Sequence, residues 1–205
     1  MNLETDCLIL PQTLALIATE ILFIFPLKIK RLQCKAGIAP ENEKILLLSD
    51  THSHIDEAII RHADWADEVW HAGDIGDLHV TDTLKKHKPL RAVFGNIDDD
   101  KARMEFPLHN RFMCEGVDVW ITHIGGYPGK YNPNIRAEMI SNPPKLFICG
   151  HSHILKVMFD KKMNLLHMNP GAAGKSGFHQ VRTMLRFVID GEKIKDLEII
   201  EIGKK

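Results

Sequence analysis

From residue 44 onward the chain alternates short, almost wholly apolar runs with longer stretches of mixed character. Ile45 to Leu48, Glu68 to His71 and Leu90 to Phe94 are too short and too apolar for surface helices, and predict buried strands. Ile55 to Ala66 and Leu78 to His87 read as the helices between them. This alternation predicts β-α-β units and a sheet with parallel strands. The second half is richer in strands: Arg111 to Glu115, Val117 to Thr122, Leu146 to Cys149, Ile154 to Phe159, Leu165 to Met168, Thr183 to Asp190 and Lys193 to Glu201. One helix, about Asn134 to Ser141, interrupts them. The expected class is α/β, and two packed sheets with helices outside are the simplest architecture for so many strands.

Residues 1–43 follow a different pattern. The run from Leu8 to Leu27 approaches the roughly 20 apolar residues a membrane-spanning helix needs. Glu20 and two prolines interrupt it, and its flanking charges are reversed for a secretory signal, with Glu4 and Asp6 before it and Lys28, Lys30, Arg31 and Lys35 after. Three readings stay open: a membrane or interfacial anchor with the following domain in the cytoplasm, an amphipathic helix docked on a partner, or a mis-assigned start. The last is favoured because a new domain, 44–205, begins so cleanly at Lys44. Membrane contact is expected only if the segment is real and inserted.

Composition narrows the function classes. With 44% apolar residue types and 26% charged, the 205-residue chain supports a globular domain with a sizeable core. Lys and Arg number 26 against 27 Asp and Glu, so no global field attracts polynucleotides, and phosphate recognition must be local. Cys7, Cys34, Cys114 and Cys149 form no Cys-x-x-Cys pair, which favours reduced thiols and a cytoplasmic setting over a zinc ribbon or disulfide framework.

The chemistry lies at the strand ends. Ser49-Asp50-Thr51-His52 follows the first predicted strand, Gly73-Asp74 the second and Gly95-Asn96-Ile97-Asp98 the third. Thr122-His123 and Gly150-His151-Ser152-His153 close two later ones. Parallel strands bring such ends together, in the crevice where open α/β sheets bind ligands. Any one cluster is an ordinary turn signal. The five together place seven ligand-type side chains at one edge. Mixed imidazole and carboxylate ligands without thiolate suit transition ions, with Mn expected first and Ni, Fe, Zn or Co as alternatives.

Asp50-x-His52, Gly73-Asp74, Gly95-Asn96, His123 and Gly150-His151-x-His153 resemble the calcineurin-like metallophosphoesterase superfamily, in particular its small single-domain phosphodiesterases. The likeness covers about Lys44 to Glu201, with all five blocks in family order. It implies two mixed β-sheets flanked by helices in four layers. It also implies that Asp50, His52, Asp74 and His153 hold one divalent ion, while Asp74, Asn96, His123 and His151 hold the other, with Asp74 bridging. Two such ions bind a hydroxide, lower its pKa and clamp phosphate oxygens for in-line attack. The expected activity is therefore phosphodiester hydrolysis. Phosphomonoesterase, nuclease and protein-binding scaffold activities remain alternatives on the same fold.

One block departs from the broader pattern: Ile97 stands where many relatives of this type place a histidine that helps the leaving group. Diesters with good leaving groups need that help least. With no basic excess and no added capping domain to track a long polyanion, small phosphodiesters, nucleotide-like or lipid-linked, are the expected substrates and polynucleotides are not. Weaker expectations attach to Asp98 as a supporting acceptor or a turn cap, to His71 as an orienting residue or a satisfied core histidine, and to Lys130 as a substrate contact in the glycine-rich loop after His123. His54 could face the cleft or simply begin a helix. His62, His79, His87, His109, His167 and His179 have no ligand-like context.

Overall fold

The structure, a computed structural model, describes residues 42–205. Expectations for the N-terminal extension, the apolar run from Leu8 to Leu27 included, lie outside the described residues. Among the described residues no helix is long and apolar enough to cross a membrane.

The first β-α-β units form as the alternation requires. β1 (Glu43–Leu48), β2 (Glu68–His71) and β3 (Leu90–Ala92) run parallel, joined through α1 (Glu57–Trp65) and α2 (His79–His87). After α3 (Asp100–Glu105), β4 (His109–Cys114) pairs antiparallel with β5 (Val117–Thr122). A hairpin of β6 (Gly126–Tyr127) and β7 (Lys130–Tyr131) then leads into α4 (Pro133–Ser141). The remaining strands are β8 (Leu146–Ile148), β9 (Lys156–Asp160), β10 (Leu165–Asn169), β11 (Val181–Asp190) and β12 (Lys193–Lys204). One five-stranded sheet has the order β12-β11-β1-β2-β3 and the other β4-β5-β8-β10-β9. Both mix parallel and antiparallel pairs.

Side-chain alternation explains why β1 is apolar throughout. Ile45 and Leu47 face the second sheet, where they pack with Val119, Ile121 and Ile148, in one cluster with Phe187 of their own sheet. Leu46 and Leu48 face the other way, against Ile59 and Ala63 of α1 and Val80 and Leu84 of α2. On the outer face of the second sheet, Trp120 and Phe147 bury Ile135 and Met139 of α4. The result is four layers, helix, sheet, sheet, helix, and each of these side chains is almost wholly removed from water.

Two elements escaped the pattern. α3 has only six residues, too few for a helical period, and is started by the Asp99 carboxylate accepting from the Ala102 N–H at 3.0 Å. The β6-β7 hairpin has two residues per strand within a stretch that reads as plain loop. Some strand ends also moved. β3 stops at Ala92 rather than Phe94, whose N–H turns to the Pro107 carbonyl, and β9 begins at Lys156 rather than Ile154, whose N–H meets the Ser152 hydroxyl.

Candidate metal centre

Register brings the site together. Leu48, His71 and Ala92 lie side by side at the carboxyl ends of β1, β2 and β3, and Ile121, Ile148 and Met168 do so in the second sheet. The polar clusters therefore leave both sheets at neighbouring edges. Backbone bonds tie the loops to one another: Asp50 N–H to the Gly73 carbonyl at 2.9 Å, His52 N–H to Asp74 at 3.0 Å, and Gly150 N–H to His123 at 3.0 Å. Two further bonds join the sheets: His123 Nδ1 donates to the Ala72 carbonyl at 2.8 Å, and His151 N–H donates to Asp50 Oδ2 at 3.1 Å.

Within this frame Asp50, His52, Asp74 and His153 bring one ligand atom each within 4.8 Å of one another, and Asp74, His123 and His151 do the same. Asp74 belongs to both groups through different oxygens. Its Oδ1 lies 3.1 Å from His123 Nε2, and its Oδ2 lies 3.8 Å from His52 Nε2. In the first group, His153 Nε2 is 3.2 Å from Asp50 Oδ1 and 3.3 Å from His52 Nε2.

The donors fit cations at these positions. His123 spends its Nδ1 proton on Ala72, so its Nε2 presents a lone pair, and that buried atom has no hydrogen-bond partner. Asp50 Oδ1 is likewise buried without one. Lone pairs converging on a shared point without a proton between them are what a cation needs and what a solvent-free protein interior otherwise avoids. The carboxylates set the local charge. Burial raises the Asp74 pKa, but His123 and the Ile97 N–H at 3.1 Å outweigh it and keep the group below its ordinary value. Burial opposes charge on His123, while Asp74 and Asp50 beside it favour a positive charge and raise its pKa, so a proton and a cation compete for the Nε2 lone pair.

The backbone is strained to achieve this. Asp50, His52, Asp74, His151 and His153 have φ of 54°, 46°, 54°, 68° and 57°, so five of the seven expected ligands occupy the left-handed region. Each such non-glycine residue costs on the order of 1 kcal/mol, tolerated where surrounding structure fixes it for function. Gly95 has a different reason: a Cβ there would lie 2.1 Å from Asp74 Oδ1, so only glycine lets the third loop close over that carboxylate. Asn96 follows on this loop, exposed, and shares a cleft with His123.

The model of the calcineurin-like phosphoesterase superfamily domain matches residues 44–192. The chain belongs to this superfamily. The superfamily holds a dinuclear metal centre, and the Asp and His cluster supplies ligand groups for one. A comparison with curated proteins finds no sequence match. Solved structures share the fold. An archaeal phosphodiesterase superposes with a TM-score of 0.61 at 21% identity, covering 78% of this chain and 99% of its own. A predicted phosphoesterase from Streptococcus pneumoniae gives 0.58 at 21%, covering 82% and 98%. Vps29 from Entamoeba histolytica, in complex with zinc, gives 0.62 at 13%, covering 77% and 98%.

The supporting residues of this phosphoesterase domain take places among the alternatives that the sequence left open. His71 is fully buried and touches no ligand side chain: its Nδ1 accepts from the Gly73 N–H at 3.2 Å, and its Nε2 meets the Thr51 hydroxyl at 2.9 Å, which donates to the Ile75 carbonyl. It braces two ligand loops as a neutral ring, its pKa pushed down to about 4 by burial. Asp98 also joins loops, accepting from Gly76 and Gly95 N–H groups at 2.7 Å each. His54 pairs with the helix-capping Asp56 at 3.0 Å. Lys130 sits on the β6-β7 hairpin and lines a cleft beside His151.

His179 is the residue that sequence reading missed. Its Nδ1 lies 3.3 Å from His153 Nδ1, and its Nε2 donates to the Gly174 carbonyl at 3.0 Å. No spacing signal marked it, because 26 residues separate it from His153. His167, which has no ligand-like context in the sequence, is in β10 and buried at 1% exposure against Phe147.

Proposed function

We propose that this chain hydrolyses phosphodiesters at a two-metal centre formed by Asp50, His52, Asp74, Asn96, His123, His151 and His153. The observation that carries the reading is the division of Asp74 between two histidine groups, Oδ1 toward His123 and Oδ2 toward His52, beside buried ligand atoms that lack hydrogen bonds. When bound, two divalent transition ions supply Lewis acidity toward a phosphate and activate water for attack on phosphorus. The residues do the rest. His123 and Asp74 are fixed in direction by Ala72 and Ile97, and the loops around them are held by His71 and Asp98. Asn96 contributes a neutral oxygen, which limits negative charge at a site that must accept an anion. Ile97 offers no proton to a leaving oxygen, which favours diesters with good leaving groups over alkyl monoesters.

The test is turnover of bis(p-nitrophenyl) phosphate by protein stripped of metal and then titrated with Mn, Zn, Ni or Ca. Activity should vanish on stripping and return best with a transition ion, Mn first. Full activity in stripped protein, or none under any metal, would overturn the proposal, the second outcome favouring a scaffold role.

A further inference from the structure

Two clefts flank the cluster of ligand residues. One, about 350 Å³, opens beside His151, and the other, about 280 Å³, opens beside His123 and Asn96. Ile124 and Asn132 line both, so the two clefts adjoin. A phosphate held between His123 and His151 has one cleft on each side. A monoester would fill only one of them, whereas a diester carries an organic arm for each.

The larger cleft has a distinct chemistry. Ile124, Ile154 and Tyr127 give it an apolar and aromatic part, Asn132, Ser152 and Asn169 a neutral polar one, and no acidic residue lines it. Lys130 and Lys156 line it too, and neither pairs with a carboxylate among the described residues. Lys156 Nζ stands 4.2 Å from the Tyr127 ring centre, a placement that holds the cation over the cleft wall. The hairpin bearing Lys130 is anchored rather than loose: the Asn132 N–H donates to the Gly125 carbonyl at 3.0 Å, and the Cys149 thiol donates to Gly126 at 3.3 Å. Tyr131 is fixed by donating to Asp160 at 2.7 Å. Two unpaired ammonium groups on a rigid, partly aromatic wall suit a flat organic group that carries its own anion.

We infer that the cleft between the β6-β7 hairpin and the start of β9 is a substrate subsite for a diester arm bearing a second anionic group, a phosphate or carboxylate, on a flat or apolar body. The inference rests on the phosphodiesterase reading of the adjacent centre. A nucleoside phosphate and a phosphorylated lipid headgroup share this chemistry.

Matched substrates test it. The p-nitrophenyl ester of thymidine 5'-phosphate and the same ester carrying an added 3'-phosphate differ by one anion. The full-length, Mn-loaded protein should show a KM about tenfold lower for the 3'-phosphorylated ester, a preference that shrinks as salt screens the lysines. Lys130→Ala combined with Lys156→Ala should abolish the preference, while Lys161→Ala, which removes a lysine outside the cleft, should keep it. Equal KM values for the two esters, or a preference that survives the double substitution, would overturn the inference while leaving phosphodiesterase activity intact. If neither ester nor bis(p-nitrophenyl) phosphate is hydrolysed, the functional reading fails instead. The subsite is then judged by calorimetry with thymidine 3',5'-bisphosphate, whose binding must weaken about tenfold in the double variant for the inference to stand. Glycerophosphoinositol 4-phosphate as a competitor separates the sources: stronger competition than by the bisphosphate assigns the subsite to a lipid headgroup, weaker competition to a nucleotide.

Discussion

His179 Nδ1 lies 3.3 Å from His153 Nδ1, and the proton between them can come from only one side. A neutral His179 spends its single ring proton on the Gly174 carbonyl through Nε2, so its Nδ1 accepts. His153 must then donate from Nδ1, which leaves its Nε2 lone pair directed toward Asp50 and His52. A residue 26 positions away thus sets which nitrogen of His153 faces the proposed metal. His179→Phe should weaken metal binding by about 10- to 100-fold, read by calorimetric titration of stripped protein, with His179→Gln recovering part of the loss. Unchanged affinity in the Phe variant would remove this role.

Gly177 packs closely against the same ring. Its φ is +112°, and a Cβ there would lie 2.1 Å from His153 Nδ1. Gly177→Ala should therefore displace His153 as well as strain the loop. The expected signature is a loss of metal affinity at least as large as that of His179→Phe, together with a stability loss of about 1 kcal/mol or more in urea unfolding.

Asp74 and His71 separate ligand from brace. Asp74→Asn keeps the shape but removes the charge through which one side chain serves both histidine groups, and should lower kcat by roughly a hundredfold or more with reduced metal occupancy. His71→Gln disturbs the bonds that His71 makes to Gly73 and Thr51, and should cost about 1–3 kcal/mol of stability while sparing most activity per folded molecule. Equal losses of kcat in the two variants would contradict this division.

Ile97 is 46% exposed, and its N–H grips Asp74, so its side chain can change without releasing that bond. Ile97→His should raise alkyl monoesterase activity relative to diesterase activity by up to about tenfold at equal metal loading. A parent protein that already prefers alkyl monoesters would mean that another residue supplies the proton.

His167 makes stability depend on pH. Burial, aided by the nearby Lys156, pushes its pKa down to about 4 from an ordinary 6.5. Between these values the unfolded chain binds a proton that the folded chain refuses, so stability rises with pH across this window. The contribution is fully present above about 6.5 and is lost as pH falls toward about 4. Relative to His167→Leu, the parent should lose on the order of 3 kcal/mol between neutral pH and pH ~4, measured by urea unfolding. Parallel pH profiles for the two proteins would refute this.

Local pattern alone revealed the order of the longer elements and the seven expected ligands, of which the structure groups Asp50, His52, Asp74, His123, His151 and His153. Burial on both faces leaves a strand no polar alternation, so Ile45 to Leu48 and Glu68 to His71 were legible as local runs. The candidate ligands were legible because each follows the strand that positions it within a few residues. Asp98 and His71 were visible as residues, yet whether they touched ligands depended on bonds to Gly76, Gly95, Gly73 and Thr51 that cross between loops. His179 and the paired lysines of the cleft were invisible as partners, because β11 returns to pair with β1 and β9 folds back on β10 over long stretches of chain. Local sequence fixes which backbone dihedrals and burial patterns are favourable. Which distant side chains then share a space is decided by how the two sheets pack, and no local pattern encodes it.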